Sequence, residues 1–573
     1  MRPLADRRTP QPFFPVAGTK PATRFVAMLA TGLALSAALA TAVPTLAAKP
    51  ETRTSPPPDA IRTAGEVNRI LRQETLVGKT NQVAGRVDDE VFLRRVSLDL
   101  IGRAPTPEET TVFTLDTDPH KREKVVDKLL ADRRFGENWG RYWRDVIFYR
   151  RTEERAILAQ DTATKYLIEQ LNLNTPWDQV ATAYITAKGD VSEDGSTALI
   201  LAQRGEPEGV VAEVSRIFCG IQIQCAQCHD HPTDRWKRDQ FHHMAAFFPR
   251  VALRPELGGD KRTFHVTVTD FEPRFRPRNA DQRVIGSLEH YMPDLKDPSA
   301  KGELMEPVFF VTGQSLKKGT PDSDRRTQLA SWITSRDNPW FAKALVNRLW
   351  GELVGEGFYE PIDDMGPDRE CSAPNTLNRL AAAFTDSGYD YKWLMKTITS
   401  TEAYQRTSRS RREPEDAPFA ANAAQRLRAD QLFNQIVDLL GLDDAESPRM
   451  AMAGPMAGRR NPRFLFNQVF GFDPSSPRDE VAGSIPQALV LMNSPMLNGA
   501  ISANRGVLGR LLPKIRDDEQ LTAELYLKAL GREPSTREVA TCLAHVKSVG
   551  NRGEAFEDIL WSLINSTEFL HRR

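Results

Sequence analysis

The stretch Leu98-Asp-Leu-Ile-Gly102-Arg-Ala-Pro105-Thr106-Pro-Glu-Glu109 decides the fold, because it ends one helix and begins another. Apolar residues close the first helix, Gly102 supplies a left-handed stop, and Pro105 prevents the helix from continuing. Thr106, followed three residues later by a glutamate, matches the capping box that starts a new helix. The sequence therefore predicts a helix-turn-helix module here.

The same pattern returns near the C-terminus as Leu527-Lys-Ala-Leu-Gly531-Arg-Glu-Pro534-Ser535-Thr-Arg-Glu538. We interpret this repeat as reuse of one architectural module, with a glycan- or partner-binding repeat as the alternative. Between the two copies, apolar residues recur at helical spacing, as in Trp139, Trp143 and Ile147. Large rings at this spacing predict a packed helix face.

The composition limits the classes of function. The chain has 573 residues, 40% of them hydrophobic, which is enough for several domains with real cores. Its 76 basic and 76 acidic residues give a formal net charge of zero. No whole-molecule field would therefore attract nucleic acid or an anionic membrane, and we expect no nucleic-acid partner.

The N-terminal region has the order of a secretory signal: basic residues, an apolar Ala/Leu-rich run, then small residues. We predict a signal peptide over 1–48 and a Pro-rich linker over 49–63. An uncleaved membrane anchor is the alternative. After cleavage we expect no membrane span and a periplasmic or secreted protein.

The mature chain reads as mainly α, with two helical domains, repeated helix-turn-helix modules and a small β-containing insert. The predicted boundaries are a helical domain over 64–250, the insert over 251–320 and a second helical domain over 321–573. Alternating residues predict strands within the insert, including a short run over 308–311. A stretch rich in Pro, Gly, Arg and Met, 444–482, is predicted to be a long loop.

The motif that carries chemistry is Cys225-Ala-Gln-Cys228-His229. Cys-x-x-Cys-His is typical of covalent haem c attachment, in which two thiols meet the two vinyl groups and the adjacent imidazole reaches the iron. We expect His229 as the proximal ligand. Met244 or His243, on a short predicted helix downstream, would supply the distal ligand.

Other interpretations of the motif remain open. The two thiols, together with His229, His231 or His242, have the ligand inventory of a zinc site. They could instead form a disulfide, with Cys219 as a further thiol for exchange, or stay reduced in a packed turn.

No familiar catalytic motif appears. The sequence has no Gly-x-Ser-x-Gly elbow, no His-Glu-x-x-His and no Walker A loop, so it assigns no catalytic residues. An acidic cluster has the spacing of a cation site or a carboxylate pair, but we predict a solvated loop for it: Asp363, Asp364, Asp368 and Glu370.

Several longer motifs carry a family resemblance. The first half of the chain resembles the cytochrome-associated domain of unknown function abundant in secreted planctomycete proteins, and the second half resembles its usual partner domain. The first resemblance is carried by residues 92–100, 105–109, 135–139 and 225–232. The second is carried by residues 337–339, 346–350, 404–408, 428–432 and 486–493.

The resemblance implies association with cytochromes and with secreted polysaccharide degradation. Longer members often carry a separate cytochrome c module ahead of the first domain, and this sequence lacks it. We therefore expect a haem-c electron-transfer protein or oxidoreductase with a redox partner or an extracellular glycan. The alternative is a non-enzymatic helical binding or assembly protein whose CxxCH turn is held by zinc or a disulfide.

Overall fold

The described part of the protein begins shortly before its first helix. The computed structural model describes residues 56–255, 263–270, 287–297, 299–409, 415–442, 462–477, 481, 483–504 and 506–573. The predicted signal peptide, 1–48, lies outside these residues, as do residues 49–55 of the predicted linker. The last residues of that linker are helical and belong to the first described helix, which begins at Ala60.

Helices dominate the described residues and confirm the mainly α fold class. In chain order they are α1 (Ala60–Thr75), α2 (Asp89–Ile101), α3 (Pro107–Leu115), α4 (Lys121–Ala131), α5 (Arg134–Phe148), α6 (Gln160–Asn172), α7 (Trp177–Thr186), α8 (Ala198–Ala202), α9 (Pro207–Val214), α10 (Arg238–Ala245), α11 (Asp322–Thr334), α12 (Pro339–Val354), α13 (Pro374–Asp386), α14 (Tyr391–Thr399), α15 (Glu402–Gln405), α16 (Ala429–Leu440), α17 (Pro462–Phe470), α18 (Ile485–Asn493), α19 (Pro495–Ile501), α20 (Gly506–Leu511), α21 (Asp518–Leu530), α22 (Thr536–Val549), α23 (Arg552–Ile564) and α24 (Thr567–Leu570). The prediction of a loop over 444–482 is therefore wrong at α17, which lies within that range.

The strands are short, and several lie in the predicted insert. They are β1 (Gly189–Asp190), β2 (Val251–Pro255), β3 (Phe264–Val268), β4 (His290–Met292), β5 (Glu303–Met305), β6 (Ser408–Arg409), β7 (Asn422–Ala423), β8 (Gln425–Arg426) and β9 (His571–Arg572). An antiparallel sheet has the order β1-β3-β2, and β4 pairs antiparallel with β5. The predicted run 308–311 is reduced to one bridge between Val308 and Ser315.

Both copies of the repeated module form the predicted turn. Gly102 ends α2 in the left-handed conformation at φ 66°, and Gly531 ends α21 at φ 68°. In the first copy the Thr106 side chain accepts from the backbone N–H of Glu109 at 3.1 Å, while the Glu109 carboxylate accepts from the N–H of Thr106. Ser535 and Glu538 form the same capping box in the second copy.

The aromatic face of α5 is core, as its spacing predicts. Trp139, Trp143 and Ile147 are all buried. The indole N–H of Trp143 donates to the Tyr391 hydroxyl at 3.1 Å, and its ring lies 4.4 Å from that of Trp177. Because Tyr391 opens α14, this packing joins the first predicted helical domain to the second.

The hydrophobic core divides at a different place from the predicted domain boundary. One cluster of buried residues extends from Ala60 to Phe419 and includes α11 to α15. A second cluster is built almost entirely from residues 427–569. The division lies near residue 420 rather than at 320 and 321, because the helices after 321 bury their apolar faces against α1, α5 and α7.

A buried ion-pair network crosses between the two predicted helical domains. Asp363 is 1% exposed and accepts from Arg216 at 2.8 Å and from Arg348 at 3.1 Å. Glu213 also accepts from Arg216, at 3.0 Å. Burial opposes ionisation of Asp363, but the two guanidinium groups outweigh it and hold the carboxyl pKa well below its usual range. The predicted solvated loop is therefore wrong for Asp363.

The left-handed turn at Gly102 generates a first prediction. A Cβ at this position would lie 2.7 Å from the Asn138 side-chain oxygen, in addition to the strain of positive φ. We expect Gly102→Ala to lower the free energy of unfolding by about 2–4 kcal/mol, measured by chemical denaturation. Gly550→Ala is the matched control, because Gly550 has φ 74° and open space around it. This variant should lower the free energy of unfolding by only about 1 kcal/mol. Equal losses would contradict the steric role of Asn138.

The buried network generates a second prediction. Asp363→Asn removes the negative charge between two buried guanidinium groups, and we expect a loss of about 3–5 kcal/mol in unfolding free energy. The control is Asp368→Asn, because Asp368 pairs with Arg235 at 2.6 Å with both side chains about half exposed. That exposed pair should contribute far less to the free energy of unfolding, because solvent screens its two charges. Urea denaturation of both variants compares the two pairs, and similar losses would contradict the proposed difference.

Candidate functional site

The Cys-x-x-Cys-His motif lies on a short 3₁₀ turn, Gln224–Gln227, at the surface of the first core. Ala226 is fully buried and anchors the turn, whereas Cys225 and Cys228 are exposed. Cys225 lies within the turn, and Cys228 follows directly after its last residue. Both thiols are therefore open to solvent and are separated by only two residues.

His229 follows the second cysteine and is also exposed. Its Nδ1 lies 2.7 Å from the carbonyl oxygen of Asp230. Because a carbonyl only accepts, Nδ1 must carry the ring proton in the neutral form, and the lone pair is on Nε2. A histidine that ligates a metal through one ring nitrogen commonly donates the other ring N–H in this way.

Hydrogen bonds to the residues before and after it hold the loop that follows the motif. Asp230 accepts from Lys237 Nζ at 2.9 Å, and this hydrogen bond lowers the pKa of the Asp230 carboxyl. The backbone N–H of His231 donates to the carbonyl of Trp236 at 2.8 Å. The His231 ring donates from Nε2 to the Gln222 carbonyl at 3.2 Å. In this structure the imidazole of His231 therefore ties the loop to the residues before the motif.

The loop is also connected to the buried ion-pair network. The Gln222 side-chain amide donates to Asp363 Oδ1 at 2.8 Å, and the carbonyl of the same residue accepts from His231. The backbone N–H of Met365 donates to the Gly220 carbonyl at 2.7 Å. The second helical domain thus supports the chain on which the two thiols are presented.

The candidate distal ligands differ in their accessibility. Met244 is fully buried within the first hydrophobic core. His243 is half-buried, and its Nδ1 donates to the Glu306 carbonyl at 2.8 Å, which leaves its lone pair on Nε2. His242 is buried and has bonds at both ring nitrogens. Met244 would have to leave the core to reach an external ligand, whereas His243 would not.

His242 belongs to a buried imidazole pair. Its Nε2 lies 3.0 Å from the Gln227 carbonyl, and its Nδ1 lies 2.9 Å from Nε2 of His290. The two rings are stacked, with centroids 5.2 Å apart. Glu208 Oε1 lies 4.0 Å from the other nitrogen of His290. Burial lowers the pKa of each imidazole to about 4.

The zinc and disulfide interpretations gain no support from this geometry. All five cysteines fall in the described part of the chain, and all are free thiols. Within the described ranges, no three histidine, cysteine, aspartate or glutamate side chains are grouped as a metal site.

None of the helices in the described ranges has the length and apolarity to cross a membrane.

A cavity of about 920 Å³ lies away from the motif. It is built around the first helix-turn-helix module, between α2, α3 and α4 on one side and α16 on the other. Several charged lining residues are paired with one another, as in Arg103 with Asp438 and Arg134 with Asp132. None of the residues of the Cys-x-x-Cys-His motif lines it.

Sequence reasoning missed the supports of the motif. The motif is supported by Gln222, which accepts from His231 and donates to Asp363, and by His290, which bonds to His242. Asp363 and His290 are far from the motif in sequence. His290 is buried and hydrogen-bonded to His242. No local pattern could have indicated which segments these residues meet.

The fold and the site together define a mainly helical protein of two paired domains, the first bearing an exposed Cys-x-x-Cys-His turn. Residues 66–252 match the family model PSCyt2, described as a protein of unknown function (DUF1549). Residues 325–546 match PSD1, also described as a protein of unknown function (DUF1553). The chain therefore carries this pair of domains, in the order that the resemblance predicts. Searches of curated proteins and of solved structures found no match.

The imidazole pair generates a third prediction, on pH. Each folded-state pKa of about 4 lies below the ordinary value of 6.5, so the unfolded chain binds more protons between these values. The stability that the two neutral imidazoles contribute is therefore fully present above about pH 6.5, and it is lost as the pH falls toward 4. The double variant His242→Gln, His290→Gln keeps an N–H donor at each position but cannot titrate.

We expect the wild type to lose about 2–3 kcal/mol more unfolding free energy than this double variant between pH 7 and pH 4. Urea denaturation across this range measures the difference. The variant serves as the reference for all other titrating groups. Parallel pH profiles would show that the imidazoles are already protonated, or are hydrated, in the folded state.

Proposed function

We propose that the protein carries a covalently attached c-type haem at Cys225 and Cys228 and acts in electron transfer outside the cytoplasm. The observation that carries this proposal is the pair of exposed thiols at and directly after a 3₁₀ turn, followed by an imidazole that is bonded at Nδ1 and has its lone pair on Nε2. The donor set fits the group: two thiols for the vinyl carbons and one neutral imidazole for the metal.

Each protein group has a distinct task at this site. The two thiols would each add across a vinyl group, forming a carbon–sulfur bond and passing the thiol proton to carbon. His229 would hold the iron through Nε2, and its Nδ1–H bond to the Asp230 carbonyl fixes the ring orientation. Bound haem would supply a one-electron redox centre. His243 is the distal ligand favoured by its accessibility, and Met244 is the alternative.

The exposed position of the motif supports electron transfer over the oxidation of a bound substrate. Solvent-facing thiols and imidazole leave an edge of the attached group open to a redox partner, and the cavity of about 920 Å³ does not include the motif. Export follows from the predicted signal segment and from the compartment in which c-type haem is attached. A glycan link rests on the resemblance alone, and substrate and partner stay unassigned.

The proposal generates a fourth prediction. When the chain is exported together with a cytochrome c maturation system, we expect haem to stay with the polypeptide on a denaturing gel. The double variant Cys225→Ala, Cys228→Ala should lose this signal, whereas the control Cys371→Ala should keep it. His229→Ala should retain attachment through the thiols but lose the low-spin absorption spectrum, because the proximal ligand is missing. His243→Ala and Met244→Ala, compared by the same spectrum, identify the distal ligand.

A colourless wild-type protein under these conditions would contradict the proposal. If that protein contained zinc in metal analysis, or a Cys225–Cys228 disulfide in mass spectrometry, the result would favour the non-enzymatic binding or assembly alternative. An unchanged spectrum in His229→Ala would contradict the assignment of the proximal ligand alone.

A further inference from the structure

The carbonyl group of Gln227 is the point at which the rest of the molecule holds the Cys-x-x-Cys-His turn. Gln227 lies between the two cysteines and ends the 3₁₀ turn. Its carbonyl accepts from His242 Nε2 at 3.0 Å and from Arg238 Nε at 3.3 Å. Carbonyls at the end of a helical turn lack a partner within the turn, so an outside donor determines how they are oriented.

His242 is the more restrained of the two donors. Its ring is 1% exposed and is held by packing in α10, where Phe241 meets it edge-on at 5.3 Å. Arg238 is only half-buried, and its guanidinium also donates to the Pro293 carbonyl at 2.6 Å. The shorter bond therefore comes from a rigid ring in the core, and the longer bond comes from a flexible side chain near solvent.

His290 makes the second hydrogen bond to the His242 ring. Because the Gln227 carbonyl can only accept, His242 must carry its proton on Nε2 and accept at Nδ1. The partner at Nδ1 is Nε2 of His290, 2.9 Å away, which therefore donates. His290 is 5% exposed and lies on β4, which is held by pairing with β5. The insert thus fixes which nitrogen of His242 faces the turn.

We propose that His242 and His290 are positioning residues for haem attachment: together they fix the Gln227 carbonyl and so hold the two thiols and His229 in the arrangement that attachment requires. This role rests on the proposed haem function. Neither residue reaches the group itself, since both ring nitrogens of His242 are bonded within the protein and His290 lies behind His242. Their effect passes through one backbone carbonyl.

The first test uses the full chain before haem attachment. His242→Leu removes the donor to Gln227, while His242→Gln places an amide N–H at about the same distance along the side chain. Phe241→Leu is the matched control, because it disturbs the neighbouring buried ring without touching the Gln227 bond. We expect hydrogen exchange of the amides in 224–237 to accelerate about tenfold in His242→Leu relative to Phe241→Leu, and to stay within about twofold of wild type in His242→Gln.

The second test uses the same variants, and adds His290→Leu and His290→Gln, after export with the haem maturation system. We expect both Leu variants to yield about tenfold less covalent haem per polypeptide than wild type, and both Gln variants to restore most of it. The haem that does attach in the Leu variants should show a shifted midpoint potential. A purely structural role would lower the yield of folded protein without changing the haem content of each folded chain.

The outcomes separate this inference from the proposed function. Absence of haem from the wild type overturns the proposed function and this role with it. Haem in the wild type, combined with equal exchange and equal haem content in His242→Leu and Phe241→Leu, overturns the positioning role alone. Failure of His242→Gln to restore haem content when it does restore slow exchange would also overturn that role.

Discussion

The carboxylate of Asp363, buried between Arg216 and Arg348, is the constraint on which the site depends. Arg216 comes from the first matched domain, and the other two residues come from the second. A buried charge is tolerated only when it is paired and hydrogen-bonded, so these three groups must meet for the chain to fold. The same carboxylate accepts from Gln222, which connects the junction of the two domains to the chain that leads into the Cys-x-x-Cys-His turn.

The turn itself is exposed, but its supports are buried. Ala226 anchors it below, His242 holds the Gln227 carbonyl, and His231 ties the following loop back to Gln222. Reactive groups at a surface can keep a defined arrangement when the backbone that carries them is fixed from within. The proposed attachment of haem relies on this division between exposed thiols and buried supports.

The two family matches do not correspond to two independent cores. Helices α11, α13 and α14 belong to the second match, but α11 packs against α7, and α13 and α14 pack against α1. The later helices form the second cluster. Trp143 and Tyr391 illustrate the result, since their hydrogen bond joins helices that are far apart in sequence. Residues Ser55–Arg573 accordingly form a single compact unit.

The sequence by itself determined the local features: the helix class, the two capping-box turns at Gly102 and Gly531, the aromatic core face of α5 and the thiol–thiol–imidazole motif. These depend on residues within a few positions of each other, where spacing and backbone preference act directly. The tertiary structure alone decided that Asp363 is buried, that the core divides near 420, that Met244 faces inward and that His290 supports the turn. Each of these follows from which distant segments meet. Helical spacing marks a face as buried but does not identify the face it packs against, and the pairing of charges across the domain junction leaves no periodic signal in the chain.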